Sequence, residues 1–145
     1  MRIVLQRVKR ASVKIDSEIV GQIGRGFLVL LGAAKGDTEK QVQYWADKCA
    51  GLRVFEDENG KMNLSIDQVK GEMLVVSQFT LCGDTAKGRR PSFDNAMPPR
   101  QAEELYLKFC RIISDKGINV ATGRFGARMD VELLNDGPVT LILEN

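Results

Sequence analysis

The chain has 145 residues, 43% of them hydrophobic, and 21 Lys and Arg against 19 Asp and Glu leave a net charge of +2. That length supports one domain with a real core, and so small a charge is by itself no argument for a nucleic-acid partner. Histidine is absent, which excludes Ser-His and Cys-His nucleophilic pairs and any His-based metal site.

Residues 3–8 predict a strand. The alternation Ala11-Ser12-Val13-Lys14-Ile15 predicts a second with one wet face, and Lys9-Arg10 and Asp16-Ser17 read as turns. Residues 18–23 and 26–31 give two more strands around Gly24-Arg25. The run Phe27-Leu28-Val29-Leu30-Leu31 is apolar on both faces and is expected at the centre of a sheet. It is also the longest uninterrupted apolar run, far short of the ~20 residues a membrane span needs. Thr38-Glu39-Lys40-Gln41 fits a capping box. Val42, Trp45, Ala46 and Cys49 then share one face of a first helix, which Gly51 stops.

Residues 52–55 read as a short strand and Asp57-Glu58-Asn59-Gly60 as a polar turn. Residues 73–81 predict a buried strand, followed by a polar loop over 83–99 long enough to suggest function. A second helix is expected over 100–116, with Ala102, Leu105, Tyr106, Phe109 and Ile113 on one face and Glu103-Glu104 in its first turn. Residues 119–122, 129–134 and 139–143 are the closing strands, the last two joined by a turn at Asn135-Asp136-Gly137-Pro138. Many strands with two separate helices imply a single α+β domain over residues 1–145, its mostly antiparallel mixed sheet forming a barrel-like core.

Three cysteines, Cys49, Cys82 and Cys110, are odd in number and form no CxxC pair. They read as reduced thiols. The first residues lack the apolar core and cleavage site of a signal peptide, so a cytoplasmic location is expected. The acidic residues show no metal-ligand spacing, and neither Gly24-Arg25-Gly26 nor Gly123-Arg124-Phe125-Gly126 has phosphate-loop spacing. No cofactor is expected.

Two stretches carry chemistry. Ser77-Gln78-Phe79-Thr80 either closes a strand with polar residues or brings hydroxyls and backbone N–H groups to one point, where two adjacent N–H groups can bind an oxyanion. Asn135-Asp136-Gly137-Pro138 is either a plain turn or, with a cis Gly-Pro bond, a rigid pair of acceptor carbonyls. The basic groups Arg7-Lys9-Arg10 and Lys87-Arg89-Arg90 are either solvated surface or, if they share a face, contacts for a phosphate backbone. Phe93 stands near enough to the second group to stack on a base.

Taken together, Ser77-Gln78-Phe79-Thr80-Leu81 and Asn135-Asp136-Gly137-Pro138-Val139-Thr140 resemble the motifs of the D-aminoacyl-tRNA deacylase family. Residues 1–8, 87–93 and 122–127 with Met129 support the resemblance, which spans the chain; Cys82 departs from it, where Tyr or Ala is more familiar. The resemblance implies a homodimeric editing hydrolase that cleaves D-aminoacyl-tRNA and glycyl-tRNA mischarged on tRNA(Ala). It implies no membrane or DNA partner. It makes Gly137-Pro138, in cis and lent by one protomer to the other, the filter that rejects L-aminoacyl esters. By the same resemblance Arg7 holds that segment, Ser77, Gln78, Phe79 and Thr80 line the pocket, and Met129 lies near the terminal adenosine. The expected mechanism uses the N–H groups of Phe79 and Thr80 for the oxyanion and the ribose 2′-OH to assist water. A Thr80 nucleophile ranks second because no base is available to activate it. The competing functions are a non-catalytic tRNA-binding module, a small-ester hydrolase and an assembly protein.

Overall fold

The computed structural model describes residues 1–144. Its strands are β1 (Arg2–Ile15), β2 (Glu18–Ile23), β3 (Gly26–Gly32), β4 (Phe55–Glu56), β5 (Met62–Leu64), β6 (Glu72–Ser77), β7 (Val120–Thr122) and β8 (Asp130–Glu144). Its helices are α1 (Glu39–Gly51) and α2 (Pro99–Asp115).

β1 is the spine of the main sheet. It pairs antiparallel with β2 and β3 along one edge and with β8 along the other. β3 then pairs parallel with β6, and β6 parallel with β7. β7 returns against β2: a Cβ added at Gly21 would sit 2.3 Å from the Thr122 carbonyl oxygen. The sheet therefore curls into a nearly closed barrel. β3 lies at the centre, as its two-faced apolar run requires.

Each face of this sheet has its own core. Ile3, Leu5, Phe27, Val29, Leu31, Met73 and Val75 pack against the helices, through Val42, Trp45, Ala46 and Cys49 of α1 and Tyr106, Phe109 and Ile113 of α2. Val8, Val13, Leu28, Leu74 and Val76 fill the barrel interior. Each fully buried Val, Leu, Ile, Phe or Met among them contributes about 1.5–3 kcal/mol through burial. Among the described residues no helix is long and apolar enough to cross a membrane.

Four expectations are corrected. Lys9-Arg10 is no turn, because β1 runs through it. Arg7 and Val8 are both buried and Lys9 and Arg10 both exposed, so the two-residue period breaks at irregularities in the pairing with β8 rather than at a reversal. The strand expected to reach residue 81 ends at Ser77 and yields to a 3-10 turn, Phe79–Cys82, since Gln78 leaves the extended conformation. α2 starts at Pro99, its Pro in the first turn, which puts Glu103-Glu104 beyond that turn. Finally, Asn135-Asp136-Gly137-Pro138 does not reverse the chain. β8 continues antiparallel to β1 on both sides of it, and residues 136–139 bulge out opposite Arg7 alone.

Candidate functional site

Parallel β3 and β6 end side by side, where Gln78 N–H donates to the Leu31 carbonyl at 2.8 Å. Ligands favour such carboxyl ends of parallel strands. A cavity of about 610 Å³ opens there. Its floor is Leu31, Val76 and Met129; Ser77, Gln78 and Phe79 form its lip. Phe93, residues 96–99, Ala102 and Tyr106 of α2, and Phe125, Gly126 and Ala127 complete the lining, with the Tyr106 and Phe125 rings 5.9 Å apart. Tyr106 is the ionisable side chain in this lining. Its hydroxyl donates to the Val75 carbonyl at 2.9 Å, and burial pushes its ionisation well above the usual phenol range.

The lip has a specific backbone form. Leu81 N–H donates to the Gln78 carbonyl at 3.2 Å and Gly83 N–H to that of Thr80 at 3.0 Å. Phe79 and Thr80 therefore head the turn, and their own N–H groups find no acceptor inside it. Gln78 Nε2 donates to Thr80 Oγ1 at 2.5 Å. The Thr80 hydroxyl is thus next to a donor, not a base, and the residue is exposed outside the cavity lining. The exposed Phe79 ring meets Phe93 edge-on, with centroids 5.1 Å apart.

Arg7, Gly137 and Pro138 form a second group, outside that lining. Arg7 is only 4% exposed. Its Nε donates to the Asp136 carbonyl at 2.9 Å and its Nη1 to that of Val54 at 2.5 Å. Asp136 and Glu56 carboxylates lie 3.8 and 4.0 Å away and balance the charge. The Gly137-Pro138 peptide is cis and both residues are exposed.

Asn135 was legible as part of a motif, yet no role for it could be read from the sequence. Its Oδ1 accepts from Val139 N–H at 2.8 Å and its Nδ2 donates to the Val139 carbonyl at 3.1 Å. One side chain thereby ties off both ends of the bulge. Gly137 has φ +142°, and a Cβ there would lie 2.8 Å from Val139 Cγ2, so glycine alone fits. The cysteines offer no nucleophile: burial pushes the Cys49 and Cys110 thiols up to about 12 and raises that of Cys82.

Fold and site together define an α+β barrel with an apolar pocket at the carboxyl ends of two parallel strands. Residues 4–144 match the D-Tyr-tRNA(Tyr) deacylase family. The D-aminoacyl-tRNA deacylase of Desulfatibacillum aliphaticivorans is 61% identical over 145 residues, covering 100% of this chain and 99% of that one. That of Geobacter sulfurreducens is 58% identical over 144 residues, covering 99% and 95%. A solved structure described as c-Myc DNA Unwinding Element Binding Protein superposes with a TM-score of 0.94 at 44% identity, covering 100% of this chain and 99% of the other. A probable eukaryotic D-amino acid tRNA deacylase shares the fold at a TM-score of 0.82 and 18% identity, covering 98% and 97%. The chain belongs to the D-aminoacyl-tRNA deacylase family.

Proposed function

We propose that this chain hydrolyses the ester between a D-amino acid, or glycine, and the terminal adenosine of tRNA, and that it spares L-aminoacyl esters. The observation that carries the reading is the lip of the pocket. Two successive amides, of Phe79 and Thr80, head a turn and have no acceptor among the described residues, and Phe79 lines a cavity with no side-chain base. An aminoacyl ester is already activated. Its hydrolysis needs donors aimed at the developing oxyanion, and one such donor is worth about 2.7–4 kcal/mol. The neighbouring ribose 2′-OH then assists the attacking water, and the adenosine lies towards Met129. Thr80 takes no covalent part, because the group beside its hydroxyl is a donor.

The chiral filter is Gly137-Pro138, presented by a second copy of the chain. Within one copy the segment is outside the lining of its own pocket, is held from behind by Arg7 and Asn135, and is exposed. β8 also carries exposed Leu133, Leu134 and Ile142, the last 70% exposed, which suits burial between two copies. A side chain in the L position meets fixed backbone and is rejected by clash, whereas an α-hydrogen fits. Glycine, with no side chain, passes. Three unpaired cysteines agree with a reducing compartment, and we place the protein in the cytoplasm.

The test is deacylation of D-tyrosyl-, L-tyrosyl- and glycyl-tRNA in parallel. Fast loss of the D and glycyl esters with the L ester intact is expected. Cleavage of both hands would remove Gly137-Pro138 from its role. Binding of tRNA or duplex DNA without hydrolysis of any ester would overturn the catalytic reading in favour of a binding module.

A further inference from the structure

We infer that two loops flanking the pocket form a cationic collar for phosphates of the single-stranded 3′ end of tRNA; this rests on the deacylase reading above. The first is the loop between the 3-10 turn and α2, which carries Lys87, Arg89 and Arg90. The second, between β7 and β8, carries Arg124 and Arg128. Both loops reach the pocket: Phe93, Ala96 and Met97 line it, as do Phe125, Gly126 and Ala127. Both cation-bearing segments therefore adjoin residues that line the pocket.

The first loop is a built hairpin, not a slack connection. Asp84 N–H donates to the Ser92 carbonyl at 2.7 Å and Ser92 N–H to that of Asp84 at 3.0 Å. Gly88, near the tip, has φ +71°. The Phe79–Phe93 ring contact fastens its base to the catalytic lip. Its acids are turned onto their own loop. Asp84 Oδ1 accepts from Ala86 N–H at 2.8 Å, and Asp94 Oδ2 from the Ser92 hydroxyl at 2.8 Å.

The charge distribution is uneven. Segments 87–92 and 123–128 hold five cations and no acid, against a whole-chain charge of +2, so the rest of the chain carries −3. All five cations are exposed, and none is in an ion pair among the described residues. Other cations, Lys9, Arg10 and Lys61 among them, also lack an ion pair among the described residues, so what sets these five apart is their place next to pocket-lining residues in segments without acids. Cations beside an otherwise uncharged pocket fit a ligand whose reacting end is neutral at the ester and whose following residues are polyanionic. The 3′ end of tRNA has that chemistry.

The experiment compares two variants, Lys87→Gln with Arg89→Gln and Arg90→Gln, and Arg124→Gln with Arg128→Gln. Their substrates are D-tyrosyl-tRNA and 3′-D-tyrosyl-adenosine, the latter free of phosphate, across a salt series. For each variant, KM on tRNA should rise about tenfold or more, and the log–log salt slope should shrink by about 0.7 for each phosphate left without its cation. The weakening is confined to the substrate that carries phosphates. Unchanged KM and salt slope on tRNA, or equal weakening on both substrates, overturn the collar. Binding of uncharged tRNA, measured alongside, separates the two readings. If the wild-type chain cleaves neither ester, the deacylase reading fails, and the collar then stands or falls on whether its variants weaken salt-dependent tRNA binding.

Discussion

Arg7 is a buried charge held between two segments, residues 54–56 and the bulge at Asp136. It donates to two carbonyls, of Asp136 and Val54, and is balanced by carboxylates at its rim. Lysine has no fork with which to span both carbonyls. Asn135 does for the other end of the bulge what Arg7 does for its middle. Asn135→Ala removes the side chain that bonds both the Val139 N–H and the Val139 carbonyl, at a cost of about 1–3 kcal/mol. The expected outcome is a folded enzyme that keeps much of its rate on D-tyrosyl-tRNA and begins to cleave the L ester. Unaltered discrimination by the Asn135→Ala protein would show that the bulge holds its shape without this clasp. At the lip, Thr80→Ala removes a hydroxyl but leaves its backbone N–H, so most of the deacylation rate should survive. Near-complete loss, or a trapped acyl-Thr80, would instead establish a nucleophile.

At the scale of elements, the sequence was most readable where one physical signal dominates. The face Val42, Trp45, Ala46, Cys49 and its Thr38 cap are as expected: Thr38 N–H donates to Gln41 Oε1 at 2.6 Å. Thr38→Ala should lower unfolding free energy by about 1 kcal/mol in denaturant titrations, with activity little changed. The two-faced apolar runs of β3 and β6 were equally plain. What could not be read is where strands bend without stopping. Lys9-Arg10 and Asn135-Asp136-Gly137-Pro138 have turn-like composition, yet a partner strand continues past each, and only long-range pairing between β1 and β8 decides that. The pocket divides in the same way. Ser77, Gln78, Phe79 and Met129 share one lining, and a strand-end motif points to the first three. The lining from Phe125 to Ala127, and the burial of Arg7, depend on contacts distant in sequence.

Over the whole molecule, the lack of histidine leaves a pocket without a titrating switch. Burial keeps Tyr106 protonated, since its ionisation is pushed upward, and Cys49 and Cys110, at about 12, stay neutral thiols at any working pH. Between about pH 5 and 9 the chain should therefore add no inflection to kcat once the substrate's own amino group is accounted for. A bell-shaped contribution from the enzyme would mean that a side-chain base had been missed. The separation of the two residue groups within one copy leads to a sharper test of assembly. Gly137→Ala cannot hold the φ of +142° without moving Val139, so its homodimer should cleave L-tyrosyl-tRNA. Ala127→Trp fills the pocket wall and should be inactive alone while keeping an intact Gly137-Pro138. If the proposed dimer forms, exchanging subunits of the first with an excess of the second leaves each open pocket facing an intact segment from its partner. Cleavage of the L ester should then fall towards background while cleavage of the D ester persists. Persistence of L cleavage in the exchanged mixture would mean that each chain filters for its own pocket, and the exposed face of β8 would need another use.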